Sequence, residues 1–268
     1  MTIDRRELLA ALASAAALMP VAAHAAGQAP MTQEQLLQLF GAKLMGNERI
    51  AMLLYPGFTA LDFVGPHHFL AAMPGAKVHL VTNQPDLRPV SSDLGLPVQP
   101  TVTMADCPRD VTILFAPGGT SGTLAAARDK ATIEFIRDRG SRAQLVTSVC
   151  TGSLILGAAG LLRGKRATSH WCVVPMLGQL GAIPATERIV RDGNVITAAG
   201  VSAGLDFGSA LVAELRGKPL AEAATLIAEY APEPPFPGSI ETARPEIAAA
   251  AAGMLQGFVA DAKTLKLA

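Results

Sequence analysis

The feature that most constrains the fold is a series of short, mostly apolar runs separated by helix-forming segments. Four such runs cover residues 50–55, 78–82, 111–115 and 144–149. Runs of this length bounded by Gly, Pro or Asp are typical of strands buried on both faces. Between the runs, helices are predicted from about Gly65 to Met73 and from Val173 to Leu180. The turn at Asp93–Gly95 predicts a hairpin between short extended segments near Val90 and Val98. Strands that alternate with helices predict a mostly parallel sheet covered on both sides. The chain is therefore expected to form an α/β three-layer sandwich.

Composition excludes several functional classes. The 268 residues are 50% hydrophobic, and 22 basic residues balance 22 acidic ones. A chain without net charge lacks the electrostatic footprint of a nucleic-acid or anionic-membrane binder. Aromatic residues make up only 4%, which disfavours recognition by base stacking. The expected partner is a small-molecule substrate, with no nucleic acid.

Residues 1–25 have the pattern of an export signal. Arg5 and Arg6 precede an apolar run, and an Ala-x-Ala site ends at Ala25. This pattern predicts a signal peptide of the twin-arginine type, with a Sec signal as the alternative. Pro20 and His24 shorten the apolar run below the roughly 20 residues of a membrane span. We expect a periplasmic protein without stable membrane insertion after cleavage.

The remainder divides into three segments. Residues 26–48 are expected to be a linker with one amphipathic helix from Thr32 to Leu44, and residues 49–217 the catalytic domain. Residues 218–268 hold a helix, a Pro-rich stretch and an Ala-rich end. Cys107, Cys150 and Cys172 have no metal-ligand spacing, so no metal site is predicted. Three cysteines leave at least one thiol free.

Chemically distinctive residues follow three of the predicted strands. Asp62 follows the first long strand, Gly118 and Gly119 follow the third, and Cys150 follows the fourth. Sites in open α/β sheets form where the carboxyl ends of the strands meet. These residues are therefore the first candidates for an active site.

Cys150 lies where a strand passes directly into a predicted helix. Helix N–H groups favour a thiolate and lower its pKa. The small residues Thr151 and Gly152 permit a tight nucleophile elbow. The alternative is a buried structural cysteine. Position alone leaves both interpretations open.

The neighbouring candidates also have two interpretations each. Asp62 is either a helix cap or a carboxyl that shares a proton with a thiol. Gly118 and Gly119 are either turn residues or donors of backbone N–H groups to developing negative charge. His170 follows a short predicted strand and either supports Cys150 or packs in the core.

Several stretches of the chain resemble the PfpI/parkinsonism-protein superfamily, which has the class I glutamine amidotransferase-like fold. Within it, the chain is similar to the isocyanide hydratase branch. The resemblance extends from about residue 48 to 240 and is carried by residues 55–67, 105–108, 116–120, 149–162, 166–171, 187–194, 202–207 and 229–236.

The resemblance implies a flavodoxin-like sandwich, a homodimer and Cys150 as the nucleophile. The hydratase branch has Asp at the end of its first strand and Thr after its Cys, as Asp62 and Thr151 stand here. No His follows His170, which disfavours the triad of glutamine amidotransferases. The peptidase-like branch has His directly after its Cys, whereas this chain has Thr151, which disfavours peptidase activity.

The function implied is a cofactor-free hydratase that converts an isocyanide to an N-substituted formamide. Cys150 would form a thioimidate, Asp62 would transfer protons, and Thr151 would hold the water or the thiol. Apolar residues including Val201 would hold the substituent. One alternative is a periplasmic ligand- or redox-sensing module without turnover, and another is a carbonyl- or glyoxal-directed enzyme. Residues 218–268 are too short and too acidic for the DNA-binding region of related regulators.

Overall fold

A computed structural model describes residues 31–267. The predicted signal peptide and the first residues of the predicted linker lie outside this range. The linker helix α1 (Gln33–Phe40) begins with a capping box, in which Thr32 and Gln35 bond each other's backbone N–H. It ends at Gly41, earlier than the predicted Leu44, because Gly41 takes a positive φ of 61°.

The sheet has seven strands in the order β10-β11-β7-β6-β1-β2-β5, and only the β10–β11 pair is antiparallel. The predicted flavodoxin-like architecture with a mostly parallel sheet is confirmed. Two two-stranded ribbons, β3–β4 and β8–β9, lie outside it. The strands are β1 (Arg49–Leu54), β2 (Lys77–Thr82), β3 (Val90–Ser91), β4 (Pro97–Val98), β5 (Val102–Thr103), β6 (Ile113–Ala116), β7 (Leu145–Val149), β8 (Arg166–Ala167), β9 (Ile183–Pro184), β10 (Ile189–Asp192) and β11 (Val195–Ala198).

Helices cover the sheet in two groups, which form the outer layers. Helix α2 packs on α6 and α6 on α7, whereas α3, α4 and α5 pack on one another. The helices are α2 (Ala60–Ala71), α3 (Ser121–Arg128), α4 (Lys130–Gly140), α5 (Gly152–Ala158), α6 (Ala203–Arg216), α7 (Lys218–Ile227) and α8 (Pro245–Ala262). The central strands β1, β6, β7 and β11 are almost wholly buried, as their apolar sequences predict, whereas β2, β5 and β10 toward the edges of the sheet are only partly buried.

Helix α2 departs from the sequence prediction, which placed its start near Gly65. It begins at Ala60 and contains Pro66. Proline lacks the N–H of a helical hydrogen bond and normally marks a helix end. Here its ring packs on α6, where a Cβ added at Gly204 would lie 3.2 Å from Pro66 Cδ. Tertiary packing thus outweighs the local cost, and Asp62 lies in the first turn of α2.

Two further segments differ from expectation in their helical type or length. The predicted helix 173–180 is a 3-10 helix over Val174–Leu180. The Ala-rich end forms the long helix α8 and bonds back to the domain, because Gln179 and Arg128 donate to carbonyls near its C-terminus. The 218–268 extension therefore holds two helices instead of one.

A buried ion pair ties the start of the domain to the end of α6. Arg216 bonds both carboxylate oxygens of Glu48, with 2.6 Å from Nε to Oε1. Its remaining N–H groups donate to the carbonyls of Lys43, Leu44 and Pro74, each at 3.0 Å. The guanidinium therefore has a partner on every side.

Within residues 31–267, no helix combines the length and apolar character needed to cross a membrane. In the same range, no group of three or more potential ligand side chains is placed to hold a metal ion. All three cysteines are free. Homodimer formation stays a prediction.

Candidate active site

Cys150 lies at a strained turn between β7 and α5. Its φ is 56°, a left-handed conformation that costs a non-glycine residue about 1–2 kcal/mol. Its N–H donates to the carbonyls of Ala198 (3.0 Å) and Ala199 (2.8 Å). Its carbonyl accepts from the hydroxyls of Ser169 (3.0 Å) and Ser153 (3.3 Å). Four hydrogen bonds thus hold the main chain of the elbow that the sequence predicts.

The elbow also requires a residue without a side chain after Thr151. A Cβ added at Gly152 would lie 2.1 Å from the carbonyl oxygen of Ala116 and 2.7 Å from that of Pro117. The turn therefore packs directly against the end of β6. Because β6 and β7 are neighbours, this contact fixes Cys150 beside the loop that follows β6.

Asp62 faces Cys150 from the first turn of α2, and its side chain is completely buried. Oδ2 accepts the N–H of Gly118 at 2.9 Å. Oδ1 has no hydrogen-bond partner within residues 31–267, and the Cys150 thiol adjoins the carboxyl group. Burial raises the pKa of Asp62 to about 7; the contacts with Cys150 and Gly118 lower it, and the charge of Asp93 raises it.

The pKa of the Cys150 thiol is raised well above its usual value. Burial is the main cause, and the negative charge of Asp62 adds to it, while the N–H of Thr151 acts in the opposite direction. The expectation that the helix terminus lowers this pKa is wrong for the resting pair, because burial and Asp62 outweigh it. Ionised Asp62 thus disfavours a thiolate at Cys150, so the two groups titrate as a coupled pair.

The N–H groups of Gly118 and Gly119 both donate to side chains of the site, and their oxyanion-binding role stays a prediction. Gly118 donates to Asp62, and Gly119 donates to Thr151 Oγ1 at 2.9 Å. A Cβ added at Gly118 would lie 2.6 Å from both Asp62 Oδ2 and the Thr151 nitrogen. These glycines position the reactive side chains and leave room for them.

Thr151 belongs to a buried chain of hydroxyl groups. Its Oγ1 donates to the carbonyl of Gly119 at 2.6 Å and lies 3.0 Å from Thr123 Oγ1. Thr123 in turn lies 2.9 Å from the hydroxyl of Tyr55, which donates to the carbonyl of Pro117 at 2.7 Å. The Thr151 hydroxyl thus bonds both the N–H and the carbonyl of Gly119 and holds the elbow in place, while its role toward a water or the thiol stays a prediction.

His170 does not pair with the Cys150 side chain. Its Nδ1 lies 3.0 Å from Cys172 Sγ, and burial lowers its pKa. The sequence reasoning missed this contact, and it missed Tyr55 and Thr123 as well. Side chains brought together across 62 or 68 residues leave no local spacing pattern, although Cys172 lies only two positions from His170.

A cavity of about 710 Å³ adjoins the elbow. Ser169 and Ala199, which bond the main chain of Cys150, lie in its wall, and Val201 and His170 also line it. Cys150 itself is only 3% exposed and is not among the residues that line the cavity. The other lining residues are Leu61, Thr168, Trp171, Val174, Pro175, Thr186, Arg188, Gly200, Ser202 and the C-terminal segment 238–241.

Fold and site together define an α/β protein with a strained cysteine elbow and a buried acidic partner. The chain belongs to the DJ-1/PfpI family, whose sequence model matches residues 48–214. The family resemblance predicted from the sequence is thereby confirmed.

Three relatives illustrate the range of this family. An isonitrile hydratase from Pseudomonas putida is 49% identical over 196 residues, which cover 73% of this chain and 84% of the relative. The crystal structure of a ThiJ/PfpI family protein from Pseudomonas syringae is 50% identical and superposes with a TM-score of 0.84, covering 91% of this chain and 99% of that one. An HTH-type transcriptional regulator, CdhR of Pseudomonas aeruginosa, is 28% identical and covers 63% of this chain and 51% of its own.

Proposed function

We propose that the protein is a cofactor-free hydratase that adds water to isocyanides and releases N-substituted formamides. The observation that carries this proposal is the buried Asp62–Cys150 pair, in which an acid with a pKa of about 7 adjoins a thiol. The 49% identity to an isonitrile hydratase supports it. Hydration of an isocyanide needs a nucleophile and a group that donates and accepts a proton. The Cys150 thiol and the Asp62 carboxyl supply these two functions.

The first half of the reaction forms a covalent adduct. It starts from the singly ionised pair, with the proton on Asp62 and the charge on the Cys150 sulfur. The sulfur attacks the terminal isocyanide carbon, and the same carbon takes the proton from Asp62. The product is a thioimidate, R–N=CH–S–Cys150, and Asp62 is left as a carboxylate.

The second half adds water and restores the pair. Asp62 takes a proton from water as the hydroxyl oxygen bonds to the thioimidate carbon, and it passes that proton to the nitrogen. The C–S bond then breaks, the hydroxyl proton returns to Asp62, and the formamide leaves. One isocyanide and one water are consumed for each formamide, and the resting state is regained.

The shape of the site favours this substrate class. Cys150 is almost inaccessible, and the cavity reaches Ser169 and Ala199, which bond its main chain. An isocyano group is a linear rod of two atoms, so it can pass where a branched carbonyl group meets more obstruction. Its substituent then occupies the cavity.

Isocyanide hydration by the purified protein tests this proposal. We expect Cys150→Ala to lower kcat/KM at least about 10⁴-fold and Asp62→Asn to lower it about 10²- to 10⁴-fold. The matched thiol control is Cys107→Ala, because Cys107 is buried next to Arg139 and takes no part in the site.

Mass spectrometry of the intact protein adds a second measurement. Wild-type protein quenched during turnover is expected to carry an adduct with the mass of the isocyanide on Cys150. Asp62→Asn supplies no proton to the isocyanide carbon, so it is expected to carry no such adduct. Turnover by Cys150→Ala at the wild-type rate contradicts the mechanism.

A sensing role is the second candidate, and the relationship to the regulator CdhR favours it. In that case the wild-type protein turns over neither isocyanides nor carbonyl compounds such as glyoxals. Peroxide instead produces a stable sulfenic acid at Cys150. Turnover of glyoxals alone would indicate the carbonyl-directed alternative.

We also propose that the protein acts in the periplasm. The support is the sequence of residues 1–25, with Arg5 and Arg6 before an apolar run. N-terminal sequencing of the periplasmic protein is expected to begin at Ala26. Replacing both arginines with lysine is expected to retain the uncleaved chain in the cytoplasm, and unchanged export contradicts the twin-arginine route.

A further inference from the structure

The side chain of His170 is held by Cys172 in a way that determines its protonation. The backbone N–H of Cys172 points to His170 Nδ1 at 3.5 Å, and the Cys172 thiol lies 3.0 Å from the same atom. A backbone N–H can only donate, so Nδ1 is an acceptor. The pKa of the thiol is raised to about 11, chiefly by burial, so the thiol keeps its proton and donates as well. The imidazole proton therefore resides on Nε2.

The Cδ2–Nε2 edge of the ring lies beside Gly200, in the wall of the cavity. A Cβ added at Gly200 would lie 3.0 Å from Cδ2 and 3.6 Å from Nε2 of His170, and both residues line the cavity. No residue in the described range 31–267 accepts a hydrogen bond from Nε2. Because burial lowers the pKa of His170, the ring is neutral near pH 7. The cavity thus holds a neutral N–H donor without a partner.

The other cavity walls define what such a donor can bind. Arg188 is already engaged by Asp206 at 2.5 Å and by Ser202. Glu241 carries negative charge into the lining and disfavours anionic ligands. The buried hydroxyl of Thr168 has no hydrogen-bond partner among the described residues. Much of the remaining lining is apolar, comprising Leu61, Trp171, Val174, Pro175 and Val201.

We propose that His170, fixed in its Nε2–H form by Cys172, is a specificity-determining residue that binds an uncharged hydrogen-bond acceptor on the isocyanide substituent. Ester, amide and ketone oxygens are the groups of this class. The inference rests on the proposed hydratase function. It adds to that function a preference among substituents and a positioning role for Cys172.

Two isocyanides of equal length test the preference. Ethyl isocyanoacetate carries an ester, and pentyl isocyanide replaces that ester with methylene groups. We expect the wild-type kcat/KM to favour the ester about 10-fold, because only the ester satisfies the His170 donor. His170→Phe is expected to abolish this ratio, and His170→Gln to keep most of it, because the Gln amide places a donor near Nε2.

Cys172→Ala tests the positioning role. Without the thiol, Nδ1 loses one of its two donors, and the ratio is expected to fall about two- to fivefold while turnover of pentyl isocyanide changes little. His79→Gln is the control, since His79 lies on β2 and does not line the cavity. Nitrogen-15 NMR of the wild-type protein measures the His170 tautomer directly, without a variant that must fold.

The outcomes separate this inference from the proposed function. Equal turnover of both isocyanides, unchanged in His170→Phe, overturns the inference and leaves the hydratase standing. An Nδ1–H tautomer in the wild-type spectrum overturns the role of Cys172. Failure to hydrate either isocyanide overturns the proposed function and this inference with it.

Discussion

Glu48 and Asp62 are both buried carboxyl groups beside the central sheet, but their surroundings differ in charge. Burial raises the pKa of Glu48, yet the bonds and charge of Arg216 outweigh this and leave the pKa lowered. Asp62 meets a backbone N–H and a thiol instead of a cation, and its pKa rises to about 7. We call a buried carboxyl group compensated when a cation is paired with it, as in Glu48, and uncompensated when none is, as in Asp62. A compensated carboxyl group stabilises the fold, whereas an uncompensated one holds a proton near neutral pH and can transfer it in a reaction.

The largest expected effect comes from removing the cation of the compensated pair. Arg216→Met leaves Glu48 as an unpaired buried charge, so the free energy of unfolding is expected to fall by about 3–5 kcal/mol at pH 7. Urea unfolding followed by circular dichroism measures it. The double variant Glu48→Gln/Arg216→Met is the control and should recover most of the loss. Equal stability of the single variant and the wild type contradicts the comparison.

Removing the carboxyl group of Asp62, which has no cation beside it, is expected to raise the free energy of unfolding instead of lowering it. Between about pH 4 and pH 7 the folded protein binds the Asp62 proton more tightly than the unfolded chain, so stability falls as pH rises through this window. Asp62→Asn removes that dependence. We expect it to be about 2–3 kcal/mol more stable than the wild type at pH 8, with the gain shrinking toward pH 4.

Unfolding at several pH values checks this difference. Glu48 provides the internal contrast, because its lowered pKa gives stability above the unfolded pKa that is lost as pH falls. An Asp62→Asn variant that is less stable than the wild type at pH 8 would show that Asp62 is a structural acid like Glu48.

The smallest expected change in unfolding free energy comes from Gly118, whose backbone N–H donates to Asp62 where Glu48 has the guanidinium of Arg216. In Gly118→Ala the new Cβ meets Asp62 Oδ2 and Thr151, so the pair must shift. We expect a loss of about 1–2 kcal/mol in unfolding free energy and a larger proportional loss of turnover. Gly253→Ala is the control, because its Cβ meets nothing within 4 Å and its helix gains from alanine. Full activity in Gly118→Ala would show that the spacing is not critical.

Much of the fold follows from the sequence because its signals are local. The apolar runs of β1, β6 and β7 are long enough to be recognised as strands from the sequence. The Asp93–Gly95 turn likewise predicts the β3–β4 ribbon. The start of α2 could not be predicted, because Pro66 is accommodated only by its packing on Gly204. The two-residue strand β5 exists only through its pairing with β2.

The site divides in a similar way. Asp62 and Cys150 could be selected because each follows a strand, and the structure brings them together. The use of the Gly118 N–H by Asp62 could not be foreseen, since a turn glycine has the same sequence whichever way its N–H points. The His170–Cys172 contact likewise depends on side-chain directions rather than on spacing.

The elbow also limits the mutational paths open to this protein. Cys150 tolerates its φ of 56° because four hydrogen bonds hold it, Thr151 is tied to Gly119, and Gly152 has no room for a Cβ beside Ala116. Relocating the nucleophile therefore requires several simultaneous substitutions, each harmful alone. Of the cavity walls, Ser169 and Ala199 share this coupling because they bond the main chain of Cys150, whereas residues such as Val174, Pro175 and Val201 do not. Single substitutions at those positions can therefore redirect the substrate range while the reactive centre is inherited unchanged.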